Sequence, residues 1–294
     1  MPEDPHDTPK RNRSDHVLPQ GYLDGFTSPS NQEQVCVFDR QQQRWFDTGT
    51  PGVGAITGFY DYPQGSEPDQ TADQAFAGLE TRFPVVRSEL VESGFSGWVR
   101  RLDFLLAFAQ MLRARSQLFR EQHLAHARRL TIFKIEEVLQ REPSKTEPGK
   151  FDMTLKVRPY TSENETERET LLRNKTITDM RTEIAKGPAW LSELHWCLRF
   201  TGNLTDPVIT ADNPVVVDGR VPTLEEALRD PETLVFFPIS WQACLIGSTA
   251  KFDKETDAFH PSDLRRLRAL YLKSARRFVF SPARLDFREP GQWT

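Results

Sequence analysis

The sequence predicts an α+β fold: a central helical scaffold with strands contributed by the N-terminal and C-terminal parts. Helical spacing of apolar residues is concentrated in the middle of the chain, between 71 and 186. Short apolar and aromatic runs of strand character gather at the two ends. Strands and helices do not alternate, as a parallel α/β sheet would require.

Residues 1–15 are rich in Pro, Asp and Arg and carry no apolar segment, so they are expected to be a disordered lead-in. Residues 16–294 are expected to form one compact domain. Positions 34–46 read as a β-hairpin, with Val35, Val37, Trp45 and Phe46 flanking a polar turn. A Gly-rich loop follows over 48–58. A helix is expected from 71 or 72, because Ala75, Phe76, Leu79 and Phe83 recur at helical spacing; Pro84 should break or kink it. The strongest helical pattern runs over 97–130, with Leu105, Phe108, Leu112 and Phe119 on one face, and is expected to continue, directly or after a break, through 132–138. A mobile polar excursion is expected near 141–169, around a short strand at 153–157. A further helix covers 169–186, stopped by Gly187-Pro188. Strands are expected at 190–200, 208–217, 234–237 and 241–246. A basic helix, capped by Ser262-Asp263, leads into a closing strand at 278–280.

Formal net charge is −4, so the basic surplus of a dedicated nucleic-acid binder is missing. The richest apolar run, 102–112, contains Asp103 and Gln110 and is too short to span a membrane. Cys36, Cys197 and Cys244 are widely spaced and form no C-x-x-C, which excludes a disulfide framework or zinc site of ordinary spacing. They read as buried small hydrophobes in a reducing, cytoplasmic setting with no membrane attachment.

Several motifs are tempting and incomplete. In the 48–58 loop, Ala55 and Ile56 stand where a phosphate loop needs Lys and Ser/Thr. His123 and His126 lack a third metal ligand in the pattern, so no metal site is assigned. The basic helix offers Arg265, Arg266, Arg268 and Arg276 to nucleic acid or phosphate, or is simply an amphipathic helix whose Leu264, Leu267, Leu270 and Tyr271 face the core. Asp212-Asn213-Pro214 interrupts two apolar segments. It is either a tight structural bend or a carboxylate and amide displayed at a strand break.

Taken in order, these segments resemble the bacterial domain-of-unknown-function family 4238. H-V-L-P-Q-G-Y-L-D-G-F and V-C-V-F-D-R resemble its opening. Gly58-Phe59-Tyr60 resembles its Asn-Phe-Tyr element, and Leu79-Glu80 its Leu/Ile-Glu. The helix with Gln110 and Arg113 is similar to its Gln-x-x-Arg helix. Ile209-Thr210-Ala211-Asp212-Asn213-Pro214 resembles its Thr-Ser-Asp-Asn-Pro signature, and Phe237-Pro238-Ile239-Ser240 its Pro-Leu-Ser-Pro strand. Val17, Ala211 and Trp241 depart from the pattern.

No activity comes with the resemblance. It does single out His16, Glu80, Gln110, Arg113, Asp212 and Asn213 as matched polar positions. In a hydrolase-type enzyme acting on a phosphate- or amide-bearing substrate, a nucleotide included, His16 would be the general acid/base. Asp212 and Glu80 would orient it or hold a divalent cation, Arg113 would hold an anion, and Gln110 and Asn213 would bind substrate. In a non-catalytic interaction or regulatory module, in a stress or defence setting for instance, the same residues would form a structural network. The enzyme reading expects the H-V-L-P segment, Asp212 and Arg113 to meet in one cleft.

Overall fold

The computed structural model describes residues 14–30, 33–57, 70–130, 133–144, 150–161, 164–218 and 230–287. Strand β1 (Ser14–His16) is followed by the short helix α1 (Gln20–Leu23), the hairpin β2 (Gln34–Asp39) and β3 (Arg44–Gly49), and β4 (Ala55–Thr57). The middle holds α2 (Gln70–Glu92), α3 (Leu102–Ala114), α4 (Gln117–Leu130), the hairpin β5 (Phe133–Pro143) and β6 (Phe151–Pro159), α5 (Glu165–Ala185) and α6 (Ala189–Ser192). Then come β7 (His195–Phe200), β8 (Thr210–Ala211), β9 (Val216–Asp218), β10 (Leu234–Ser240), β11 (Ala243–Ser248), β12 (Thr256–Ala258), α7 (Pro261–Ser274) and β13 (Phe278–Ser281). The fold is α+β. Among the described residues no helix is long and apolar enough to cross a membrane.

Two sheets form the frame, one ordered β12-β7-β11-β10-β9 and one ordered β3-β2-β13-β8. Their side chains alternate between two apolar layers, as the period of two in a strand requires. Val235, Phe237, Leu198 and Leu245 face the core built by α1, α2 and α3. Their neighbours Phe236, Cys197, Cys244 and Ile246 face the second core beneath α7, with Leu264, Leu267 and Tyr271. Phe83 of α2 stacks on Phe108 of α3, ring centroids 3.9 Å apart. Both rings are fully buried, each worth about 1.5–3 kcal/mol of apolar transfer.

Four sequence expectations change. The 97–130 helix is two helices, because Ser116 accepts the Phe119 N–H at 3.1 Å and so caps α4. The chain after α4 is strand β5, not a continued helix. The 190–200 strand begins with a helical turn, α6. Pro84 lies inside α2, which runs on to Glu92. Gly21 of α1 sits against Pro84: a Cβ there would lie 2.6 Å from the Pro84 ring. The 141–169 span contains β6 and the ends of β5 and α5; 145–149 and 162–163 lie outside the described residues, as do 1–13 of the lead-in, Gly58 and the Phe59-Tyr60 element.

All three thiols are free, and Cys197 and Cys244 are buried. Burial and the neighbouring Asp47 carboxylate push Cys36 up to about 12. Burial pushes Cys197 up to about 11 and Cys244 well above its ordinary value. At pH 8 fewer than about one such thiol in a thousand is ionised. An aromatic disulfide reagent at pH 8 is therefore expected to titrate none of them within minutes in the native protein, and all three in guanidinium. One full equivalent reacting natively would contradict these environments.

Candidate functional site

The six polar positions fall into three groups. The first is built around a residue that the sequence did not single out. Arg115 closes α3 at the break before Ser116, and its side chain is only 4% exposed. Its guanidinium pairs with Glu80 and donates to the backbone carbonyl of His16. It also lies 4.5 Å from the centroid of the Phe76 ring. Glu80 comes from α2, one helical turn before Pro84. Because proline lacks an N–H, the Glu80 carbonyl has no helical donor at that position.

His16 is held from the other side. It pairs with Ala55 across β1 and β4, and Val17 and Leu18 both donate to the Gly54 carbonyl, at 2.7 and 3.0 Å. Gly54 has φ +76°, and a Cβ would come within 3.0 Å of Leu18. The described part of the Gly-rich loop is thus a clamp on the H-V-L-P segment, with no lysine to reach a phosphate. Helical spacing already puts Arg115 on the face of Phe108, Leu112 and Phe119, where a cation needs a buried partner. That spacing was the signal that could have exposed it.

The second group joins α3 to α5 and α6. Gln110 is buried; its amide donates to the Glu183 carbonyl at 3.2 Å and accepts from Trp190 Nε1 at 2.8 Å. Arg113 lies over the rings of Phe119 and Trp190, 5.4 and 5.1 Å from their centroids. Burial holds its pKa below the usual arginine value, opposed by Glu183.

The third group is the bend between β8 and β9. Asp212 accepts three backbone N–H groups, from Arg276 at 2.8 Å, Arg277 at 2.6 Å and Phe278 at 3.0 Å. Its own N–H donates to the Phe278 carbonyl at 3.0 Å. Burial pushes its carboxyl above the ordinary value, and the three amides and Arg40 oppose that rise. Asn213 beside it is 4% exposed. His16 and Glu80 therefore share a cation, but that cation is Arg115. Arg113 and Asp212 have other partners among the described residues, the Phe119 and Trp190 rings and the amides of 276–278. Among the described residues, no three His, Cys, Asp or Glu side chains are placed to hold a metal ion.

A cleft does open elsewhere, between α7 and the β2–β3 turn. It measures about 680 Å³ and is lined by Phe38, Arg40, Arg266, Leu270, Lys273 and Phe287 among others. Phe287 meets Phe38 edge-on at 5.1 Å and stacks on Trp45 at 5.1 Å. None of the six matched polar residues lines it. Of the basic-helix arginines, Arg266 lines the cleft and pairs with Asp218 at 2.6 Å. Arg268 pairs with Asp206 at 2.6 Å and donates to the Pro207 carbonyl. Arg276 pairs with Glu121, and Arg265 is exposed. Three of the four are thus engaged within the chain.

Two sheets between a three-helix layer and a single C-terminal helix, with a carboxylate-anchored bend at their junction, define the class: an α+β domain built on the Asp-Asn-Pro crossing. The model of the family described as "Protein of unknown function (DUF4238)" matches residues 15–284, and the chain belongs to that family. No curated protein and no solved structure matches it.

Asp212→Asn keeps the shape of the side chain but turns an amide NH2 toward a backbone donor. It is expected to cost on the order of 2–4 kcal/mol of stability. The measure is the denaturant midpoint at unchanged slope. An unshifted midpoint would show that the three amides do not depend on this carboxylate and would free Asp212 for a role at a site.

Proposed function

We propose that this chain is a ligand-binding module whose ligand joins a planar apolar group to an anionic one, as nucleotides do. The observation that carries this reading is the cleft at α7, about 680 Å³, which falls in the range of small-molecule sites. Phe38 and Phe287 offer an aromatic wall. The rim is cationic, with Arg40, Arg266 and Lys273. Arg40 donates to the Ala275 carbonyl at the end of α7, and Arg266 is paired with Asp218. Lys273 has no ion pair among the described residues and is the rim cation that a phosphate would meet. A cytoplasmic setting belongs to the same proposal and rests on the three free thiols.

A hydrolase working through His16, Glu80, Arg113 and Asp212 is the second reading. Two observations favour it: Glu80 is 31% exposed beside Arg115, and the half-buried His16 lies at the same cation. It has less support because Arg113 and Asp212 are engaged with other partners.

Thermal denaturation with AMP and ADP separates the two. A nucleotide at 100 times its Kd stabilises by about 2.7 kcal/mol, and Lys273→Glu is expected to abolish the rise in Tm. The melting of the unliganded variant should stay within about 0.5 kcal/mol of the parent, because Lys273 is an exposed surface residue. A Tm indifferent to both nucleotides would overturn the binding proposal. Phosphate release by the parent protein that Glu80→Gln abolishes would establish the second reading instead.

A further inference from the structure

A second, smaller cleft opens between the last turns of α2, the chain just after α1 and the turn between β10 and β11. It measures about 200 Å³ and shares no lining residue with the cleft at α7. Arg87, Asp24, Glu92, Val91 and Trp241 are among the residues that line it. Drug-sized ligands fill roughly 300–1,000 Å³, so this cleft is in scale with a molecule as small as a single amino acid.

Opposite charges face this small volume without closing on one another. Arg87 is half-buried and is held by its Nη1, which donates to the Gly21 carbonyl at 2.6 Å. Gly25 lets the side chain lie there: a Cβ at that position would come within 3.1 Å of the same Nη1. Asp24 is held by Thr50, whose hydroxyl donates to Oδ1 at 2.7 Å. Burial keeps the Arg87 pKa below the usual arginine value, opposed by Asp24. Yet among the described residues neither of these two, nor Glu92, takes part in an ion pair. A half-buried guanidinium without a counter-ion is costly.

A plain anion at Arg87 would also meet Asp24 and Glu92, and a plain cation would meet Arg87. A ligand that carries both charges satisfies all three. We propose that this cleft takes a free α-amino acid with an apolar side chain. Its carboxylate meets Arg87 in a charge-assisted hydrogen bond. Its ammonium meets Asp24 and Glu92, where the C-terminal end of α2 adds a favourable partial charge. Val91, one helical turn after Arg87, and Trp241 give the side chain an apolar wall. The Trp241 N–H donates to the Gly25 carbonyl at 2.8 Å and so ties two sides of the cleft together.

Thermal denaturation of the full chain with millimolar L-leucine tests this, and the Tm is expected to rise. Two analogues each lack one charge: 4-methylpentanoic acid has no ammonium, and 3-methylbutylamine has no carboxylate. Each is expected to bind about tenfold more weakly or worse. Arg87→Gln should abolish the rise, though it also removes the bond to Gly21 and lowers the unliganded Tm. Glu92→Gln separates the two effects. Glu92 is exposed, so the unliganded Tm should be nearly unchanged while L-leucine binds about tenfold more weakly. A Tm indifferent to L-leucine would overturn the inference. So would an analogue that binds as tightly as L-leucine, or an undiminished affinity in Glu92→Gln.

Discussion

Between Thr210 and Val216 the chain leaves one sheet and enters the other. Thr210 and Ala211 pair with β13; five residues later Val216 pairs with β10. A backbone that changes sheets inside two apolar cores carries polar groups with no ladder to join, and leaving them unpaired costs free energy. Asp212 answers part of that demand by taking three N–H groups from the turn into β13. Two fully buried tyrosines brace the junction from opposite layers. Tyr22, from the helical layer, bonds Thr210 and the Pro238 carbonyl at 2.9 and 3.0 Å. Tyr271, from α7, donates to the Pro214 carbonyl at 2.7 Å. The crossing thereby fixes α1 above the sheets and α7 below them. α7 in turn sets one wall of the cleft.

Seen from this junction, the matched polar motifs hold elements together. Arg115 ties the opening strand to α2 and α3. Gln110 and Arg113 tie α3 to α5 and α6. Asp39, at the end of β2, accepts from Gln41 and Gln42 and from Arg277, 3.1 Å away, so it joins the hairpin to β13. Buried networks of this kind are costly when half satisfied and specify a unique arrangement when complete. None of the six lines the cleft at α7.

Where local chemistry decided the structure, the sequence was legible. The β2–β3 hairpin announced itself by alternation about a polar turn, and α7 by Leu264, Leu267 and Tyr271 at helical spacing. The Asp212-Asn213-Pro214 bend was legible as a bend; its partners, 64 to 66 residues away, were not. Tertiary packing decided the remainder. Pro84 argued for a break or a kink; Gly21 lets α1 pack against the proline, and α2 runs past it without a break. Residues 132–138 extended a helical pattern, yet 133–138 belong to β5, which pairs with β6. Arg113 looked like the cation of a site because periodicity cannot tell a solvent-facing position from one covered by Trp190. Arg115, two residues on, was the cation that pairs with Glu80.

If the crossing is the junction on which the layers depend, its amides open only when the whole protein opens. Hydrogen exchange at the Arg276, Arg277 and Phe278 amides measures this directly. Their opening free energy is expected to equal the global unfolding free energy from denaturant titration, and to fall with it in Asp212→Asn. Exchange at those three amides with an opening free energy far below the global value, as for a fraying surface turn, would contradict that dependence.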